Sequence, residues 1–214
     1  MARIVILGGS GYAGTHLITE AASRGHDVTS LSRSLPAEQQ ENVTYVAGSL
    51  LDAEVRAEVL KNADVVISAI APRGDMAGQT RAALAELAHD AAAAGVRIGI
   101  IGGAGSLQVS PGGPRVVDGP DFPDAFKPEA LEMTAVLDDL RASDESLDWF
   151  FISPAGGFGS FAPGEKLGTF RVGGDVLLVD DEGNSFISGA DFATAIIDEV
   201  EKPQHSRARF TVAY

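Results

Sequence analysis

No cysteine occurs among the 214 residues, which removes disulfides, thiolate metal ligands and cysteine nucleophiles together. Positive charge is scarce as well: 16 Lys and Arg stand against 30 Asp and Glu, a formal net charge of -14. Such a surface repels phosphate backbones and anionic lipid, so neither nucleic acid nor membrane is expected as the main partner. A local cationic pocket for a phosphorylated small molecule stays open. No apolar run is long enough for a signal-peptide core or a membrane span, and the start "MARIVILGG" breaks at glycine after a few residues. A cytoplasmic protein is the expectation. The four histidines, His16, His26, His89 and His205, have no carboxylate pattern around them, so no metal site is read.

What is present is an alternation of apolar runs and helical stripes. Arg3–Leu7, Asp27–Leu31, Val43–Val46, Asp64–Ser68, Arg97–Ile101 and Leu147–Ile152 are nearly continuously hydrophobic, as parallel strands covered on both faces are. Between them Leu17, Ile18, Ala21 and Ala22 form one helical stripe, and Val55, Val59 and Leu60 a second. Leu84, Leu87, Ala88 and Ala91 form a third, and Leu131, Ala135 and Leu140 a fourth. This order predicts an α/β fold, a doubly wound parallel sheet with right-handed crossovers. Helix-to-strand links are terse ("SRGHD", "LKNAD", "AAGVR"), whereas strand-to-helix links are long and rich in glycine and proline. All of the long ones leave the carboxyl edge of such a sheet, where ligands bind. Near the end, "TFRVGGDVLLVDDEGNSFIS" predicts strands turning at Glu182–Asn184. A helix then follows, capped by Asp191, with Phe192, Ile196, Ile197 and Val200 facing inward, and "ARFTVAY" supplies a last strand. Residues 1–214 read as one domain, with 153–214 contributing a small substrate-side lobe.

The first turn, "ILGGSGYAGTHL", follows a strand and opens a helix, the context a dinucleotide-binding fingerprint needs. Its glycines count as G-x-G-x-x-G from Gly9 or as G-x-x-G-x-x-G from Gly8. In the second count Gly8 makes the turn, Gly11 admits the pyrophosphate and Gly14 lets the helix pack on the sheet. Ser10, Tyr12 and Ala13, on the turn and first helical residues, then line the same ligand. An NAD-binding unit places Asp or Glu at the end of the second strand; here that end reads Ser32, Arg33, Ser34. A guanidinium there suits a 2′-phosphate, so NADP(H) is expected over NAD(H).

These residues resemble the atypical short-chain dehydrogenase/reductase superfamily, an NAD(P)-binding Rossmann fold, and most closely its bacterial NADH-flavin reductase family. The likeness spans nearly the whole chain. It rests on "GGSGYAG", "SAIAPRG", "GGAGSLQVSPG", "FPDAFKPEAL", "LDWFFISPAGGF" and "GNSFISGADFA". It also includes relatives of the NmrA and biliverdin reductase B kinds. The resemblance implies the Gly8–Gly11–Gly14 count, with Gly9 leaving room for the neighbouring phosphate. It also implies that Ala69, Ile70, Gly102, Gly103 and Ala104 line the nicotinamide side, with Pro154 and Ala155 nearby.

One further absence narrows the chemistry. Alcohol-oxidising members of the superfamily use a Tyr-x-x-x-Lys pair as proton donor. Here Tyr12 is followed at that spacing by His16, Tyr45 by Ser49, and Tyr214 is the last residue. Transfer of a hydride to a flavin or quinone-like acceptor makes a smaller demand, because solvent can supply the proton. FMN or FAD would then be substrate. Ser106 and Lys127 are the side chains that could assist. Phe158 and Phe161, in a glycine-rich loop, are expected mainly to line the small lobe. A non-catalytic NADP(H)-binding redox sensor of NmrA type is the alternative function, and a nucleotide-sugar epimerase or dehydratase a third, disfavoured by the missing tyrosine.

Overall fold

Side-chain alternation along the strands feeds two separate cores, one on each face of a sheet. In the computed structural model, which describes residues 1–214, Ile4 and Ile6 of β1 (Arg3–Leu7) enter one core and Val5 and Leu7 the other. Phe150 and Ile152 of β6 (Trp149–Ser153) likewise oppose Trp149 and Phe151, and all four are buried. Each such side chain contributes about 1.5–3 kcal/mol on full burial, so a strand apolar on both sides belongs in the middle of a layered domain.

The remaining strands are β2 (Asp27–Ser32), β3 (Val43–Ala47), β4 (Val65–Ser68), β5 (Arg97–Ile101), β7 (Arg171–Gly173) and β8 (Ala208–Ala213). Their order across the sheet is β3-β2-β1-β4-β5-β6-β8-β7, parallel throughout except for β7, which runs antiparallel to β8. α1 (Tyr12–Ser23) and α5 (Gly189–Glu201) cover one face. α2 (Ala53–Lys61), α3 (Thr80–Ala94) and α4 (Lys127–Arg141) cover the other. The expected doubly wound α/β fold is present. No helix is long and apolar enough to cross a membrane.

Several local expectations change. The last quarter of the chain divides between the core and the loops: α5 packs beside α1 and β8 joins the sheet, while residues 154–170 and 185–188 remain at its carboxyl edge. The hairpin expected around Glu182–Asn184 does not form. Only Arg171–Gly173 is a strand there, and it pairs with β8. Asp180 instead builds a local turn by accepting from the amides of Glu182 and Asn184 at 2.9 and 2.8 Å. α5 is capped by Ser188, whose Oγ accepts from the Asp191 amide at 3.1 Å. Asp191 lies one turn further in and is fully buried. Lys127 is the first residue of α4. Leu131 faces solvent, and α4 packs through Met133, Val136, Leu137 and Leu140.

Candidate functional site

Strand order reverses between β1 and β4, which opens a crevice at their carboxyl ends. The glycine turn sits on that crevice. Gly8 has a φ of 78°, a conformation that glycine adopts without a Cβ penalty, and its amide donates to the Leu31 carbonyl at 2.8 Å. A Cβ there would lie 3.0 Å from the Ala69 carbonyl oxygen and 3.3 Å from Ile70, so the structure does bring Gly8, Ala69 and Ile70 together. At Gly14 a Cβ would run into the Gly8 carbonyl and the Gly9 backbone. Helix and turn meet there with no room for a side chain; Gly14 is common to both counts, and the positive φ at Gly8 is what favours the count from Gly8.

Gly9 has a different reason to be glycine. Its Cβ would overlap Ser30 Oγ and come within 2.9 Å of Ile18. The missing side chain makes room for β2 and α1, not for a phosphate, and this corrects the role expected from the sequence. The Ser10 amide donates to Ser32 Oγ at 3.1 Å, while its side chain stays exposed. What remains open is the start of α1. Gly11 provides no side-chain cap, and no protein group accepts from the amides of Tyr12, Ala13 and Gly14. Three unpaired amides at the positive end of a helix dipole fit a pyrophosphate. The residues present therefore suit a dinucleotide.

The other expected residues fall into three groups. Gly103 faces open space, with nothing nearer to a built Cβ than 4.0 Å, and Ala104 begins the short turn that follows. Gly102 instead yields to the ring of Phe151, and its amide donates to the Ile152 carbonyl at 2.9 Å. Pro154 and Ala155 are buried, so they underlie the loop after β6 rather than presenting a surface. Arg33, at the end of β2, is exposed, and its Nη1 meets Asp75 Oδ2 at 2.6 Å. That carboxylate, on the loop after β4, gave no signal in the sequence. An exposed pair of this kind is worth about 0–1 kcal/mol, so Arg33 can exchange it for another anion at little cost.

The candidate catalytic side chains are both engaged. Lys127 Nζ contacts Asp124 at 2.9 Å and holds that carboxyl below its usual range. Ser106 is buried, with its Oγ 3.2 Å from the Gly103 carbonyl and 3.4 Å from Ser153 Oγ. Ser153 Oγ also accepts from Arg209 Nη1 at 3.3 Å. Because the Gly103 carbonyl can only accept and takes the one proton of Ser106, and Arg209 can only donate, the protons run from Arg209 to Ser153, from Ser153 to Ser106 and from Ser106 to the Gly103 carbonyl. Burial pulls the Arg209 guanidinium down, and its ion pair with Asp175 opposes this. Arg209 and Asp175 were not singled out in the sequence, although an arginine inside the strand "ARFTVA" is the anomaly that marks it.

All three tyrosine hydroxyls are committed as well. Tyr12 Oη donates to the Pro163 carbonyl and accepts from the Gly189 amide, both at 3.1 Å, while its ring packs edge-on against Phe158. Tyr45 Oη accepts from the Gln40 amide at 3.1 Å. Tyr214 Oη meets Asp191 and Ser188, and burial together with Asp191 pushes the phenol up. Asp191 also accepts from the Leu167 and Gly168 amides, which ties the loop after β6 to α5. None of the three is placed as a free proton donor beside the glycine turn.

A family model described as NAD(P)H-binding matches residues 8–203, across the glycine turn and the crevice. The chain belongs to that NAD(P)H-binding family. The uncharacterised protein YwnB of Bacillus subtilis is 36% identical over 217 residues, covering 98% of this chain and 97% of YwnB. Among solved structures, a candidate epimerase from Bacteroides thetaiotaomicron is 34% identical, covers 100% of this chain and 98% of its own, and has a TM-score of 0.88. A candidate NADH-flavin reductase from Streptococcus pneumoniae is 32% identical, covers 100% and 99%, and has a TM-score of 0.84. The resemblance drawn from the sequence motifs stands, and the fold is an NAD(P)-binding one of oxidoreductase type.

Proposed function

We propose that this protein is an NAD(P)H-dependent reductase delivering reducing equivalents to a flavin or similar planar, quinone-like acceptor, with NADPH preferred over NADH. Its partner is then a small-molecule acceptor, in the cytoplasm. The observation that carries the reading is the uncapped start of α1, whose three unpaired amides face a crevice where no tyrosine hydroxyl is free. The amides of Tyr12, Ala13 and Gly14 would hold the pyrophosphate and Arg33 the 2′-phosphate. When bound, the reduced dinucleotide supplies an electron pair with hydrogen.

The remaining work falls to the chain itself. Gly103 and Ala104 leave backbone surface open beside the crevice, and the Ser106–Ser153–Arg209 chain fixes the carbonyl of Gly103. The loop after β6, held by Tyr12 and Asp191, covers the site and limits water. With no committed acid needed, proton delivery from solvent completes reduction of the acceptor. The same absence of a free tyrosine weighs against the nucleotide-sugar epimerase alternative, which needs a proton-transfer side chain at the sugar.

Anaerobic mixing of purified protein with NADPH and riboflavin or FMN, following both chromophores, tests this. NADPH should bind and be oxidised faster than in protein-free solution. Binding without any acceleration over that control would overturn the reductase and leave the redox-sensor alternative.

A further inference from the structure

Charge around the crevice is distributed unequally along its length. At the end beneath β2, Arg33 can be released from an exposed carboxylate. At the other end, the loops after β4, β5 and β6 contain cations that are all taken. Arg73 forms a two-pronged pair with Glu129 at 2.6 and 2.8 Å, and Arg115 meets Asp138 at 2.8 Å. Lys127 meets Asp124 at 2.9 Å, and Lys166 meets Glu20 at 2.8 Å. Arg209 lies deeper, is 2% exposed and is paired with Asp175. Meanwhile Asp118, Asp121 and Glu165 on the same loops are exposed with no cationic partner within ion-pair distance. Any phosphate arriving here meets a surplus of negative charge, and drawing a cation away would strand another carboxylate.

The same loops also carry apolar surface. Val109 and Phe126 after β5, and Phe161 and Leu167 after β6, are each more than half exposed, with Phe161 at 78%. Phe161 stands two residues from Pro163, whose carbonyl accepts from Tyr12 at the start of α1. An exposed aromatic ring on a loop tied down beside the cofactor turn is a stacking surface. Exposed apolar side chains on loops that also carry unpaired carboxylates complement a flat molecule without negative charge.

We propose that the acceptor is an uncharged planar ring system, of the quinone or unphosphorylated isoalloxazine class, stacked on Phe161, and that phosphorylated flavins are disfavoured. This rests on the reductase reading above and specifies its substrate. In that step one C–H bond of the bound dihydronicotinamide would break, and its hydrogen would pass with the electron pair, as hydride, to form a new bond on the acceptor ring. One proton from solvent then gives the two-electron-reduced acceptor and the oxidised dinucleotide.

Riboflavin and FMN differ by one phosphate and make the test. With saturating NADPH, riboflavin should exceed FMN in kcat/KM by about tenfold or more, and the gap should narrow as salt rises and screens the carboxylates. A 1,4-benzoquinone should likewise outrun its sulfonated analogue. Phe161→Ala should raise KM for riboflavin several-fold while leaving the Kd for NADPH, read by nucleotide fluorescence, unchanged. Equal or better turnover of FMN would overturn the uncharged-acceptor proposal alone. Tight NADPH binding with no acceptor reduced at all would overturn the reductase reading, and this proposal with it.

Discussion

The two edges of the sheet handle their polar groups in opposite ways. At the amino edge a cluster of charges is closed off. Arg97, at the start of β5, meets the buried Glu199 at 2.6 Å, and Glu199 also accepts from His205 Nδ1 at 2.7 Å and from the amides of Gln204 and His205. His205 stacks on Phe210 with ring centres 4.2 Å apart, and Arg97 lies over the Phe150 ring. Arg207 donates to the carbonyls of Ser143, Asp144 and Leu147. At the carboxyl edge, loops of ten or more residues are anchored at a few points, and the amides of α1 are left without partners. Short links with closed polar groups suit stability, and long links with open donors suit binding. Substitutions at the two edges should therefore separate the two properties.

The largest effect is expected at Glu199. Glu199→Gln strips the charge that compensates Arg97, and breaking a buried pair from one side costs about 3 kcal/mol. For a chain of this size that lowers Tm by about 6–12 °C, readable by calorimetry, with the Kd for NADPH unmoved. Burial pushes the Glu199 carboxyl up, but hydrogen bonds from Arg97, His205 and the nearby amides outweigh it and hold the group below its usual 4.5. Its contribution is thus present above about pH 4.5 and lost as pH falls through the lower folded value. Thermal melts should accordingly decline more steeply with acid in the wild type than in Glu199→Gln.

At the opposite edge Gly11→Ala makes the complementary case. A Cβ there would sit 3.3 Å from the Gly8 carbonyl, tolerable for the fold but intruding on the open amides. The expectation is a loss of about ten- to a hundredfold in dinucleotide affinity, or about 1.4–2.7 kcal/mol, with Tm of the free protein nearly constant. A large drop in Tm would mean that the turn is structural before it is functional.

Ser153→Ala touches both properties, because it leaves a buried Arg209 donor unpaired and frees Ser106 to reorient. It should cost about 1–2 kcal/mol in chemical denaturation. It should also lower kcat for the acceptor while KM for NADPH stays put. The smallest expected change is Arg33→Ala, which removes an exposed pair and so leaves stability within about 0.5 kcal/mol. The preference for NADPH over NADH should still fall by about tenfold, measured as the ratio of the two Kd values. An unchanged ratio would remove Arg33 from the site.

Much of this is legible in the sequence alone. The strands are fully buried and β-branched, the links are lopsided in length, and the glycine turn stands in the right strand-to-helix context. Those signals come from local patterning, and local patterning places the sheet, its carboxyl edge and the crevice. What escaped depends on residues far apart in sequence. Asp75 meets Arg33 across 42 positions, and Arg209 reaches Ser153 across 56. Asp191 was read as a helix cap because its spacing suits one, but tertiary burial recruits it to hold Leu167 and Gly168 instead. Leu131 failed for a related reason: α4 is rotated by its contacts with α3, which a three-residue stripe does not determine.

Gly9 and Ser30 are halves of one volume. The glycine is bare because the serine hydroxyl occupies its space, and that hydroxyl is buried with no hydrogen-bond partner. Gly9 is then not free to change by itself. Gly9→Ala alone drives a methyl into an oxygen, whereas Ser30→Ala alone removes an unsatisfied group and leaves a small vacancy. Made together, the two changes exchange a buried hydroxyl for a buried methyl that Ile18 must still shift to admit, and their effects on stability should be strongly non-additive. The turn can thus be redesigned at Gly9 only once Ser30 on β2 has given up its hydroxyl.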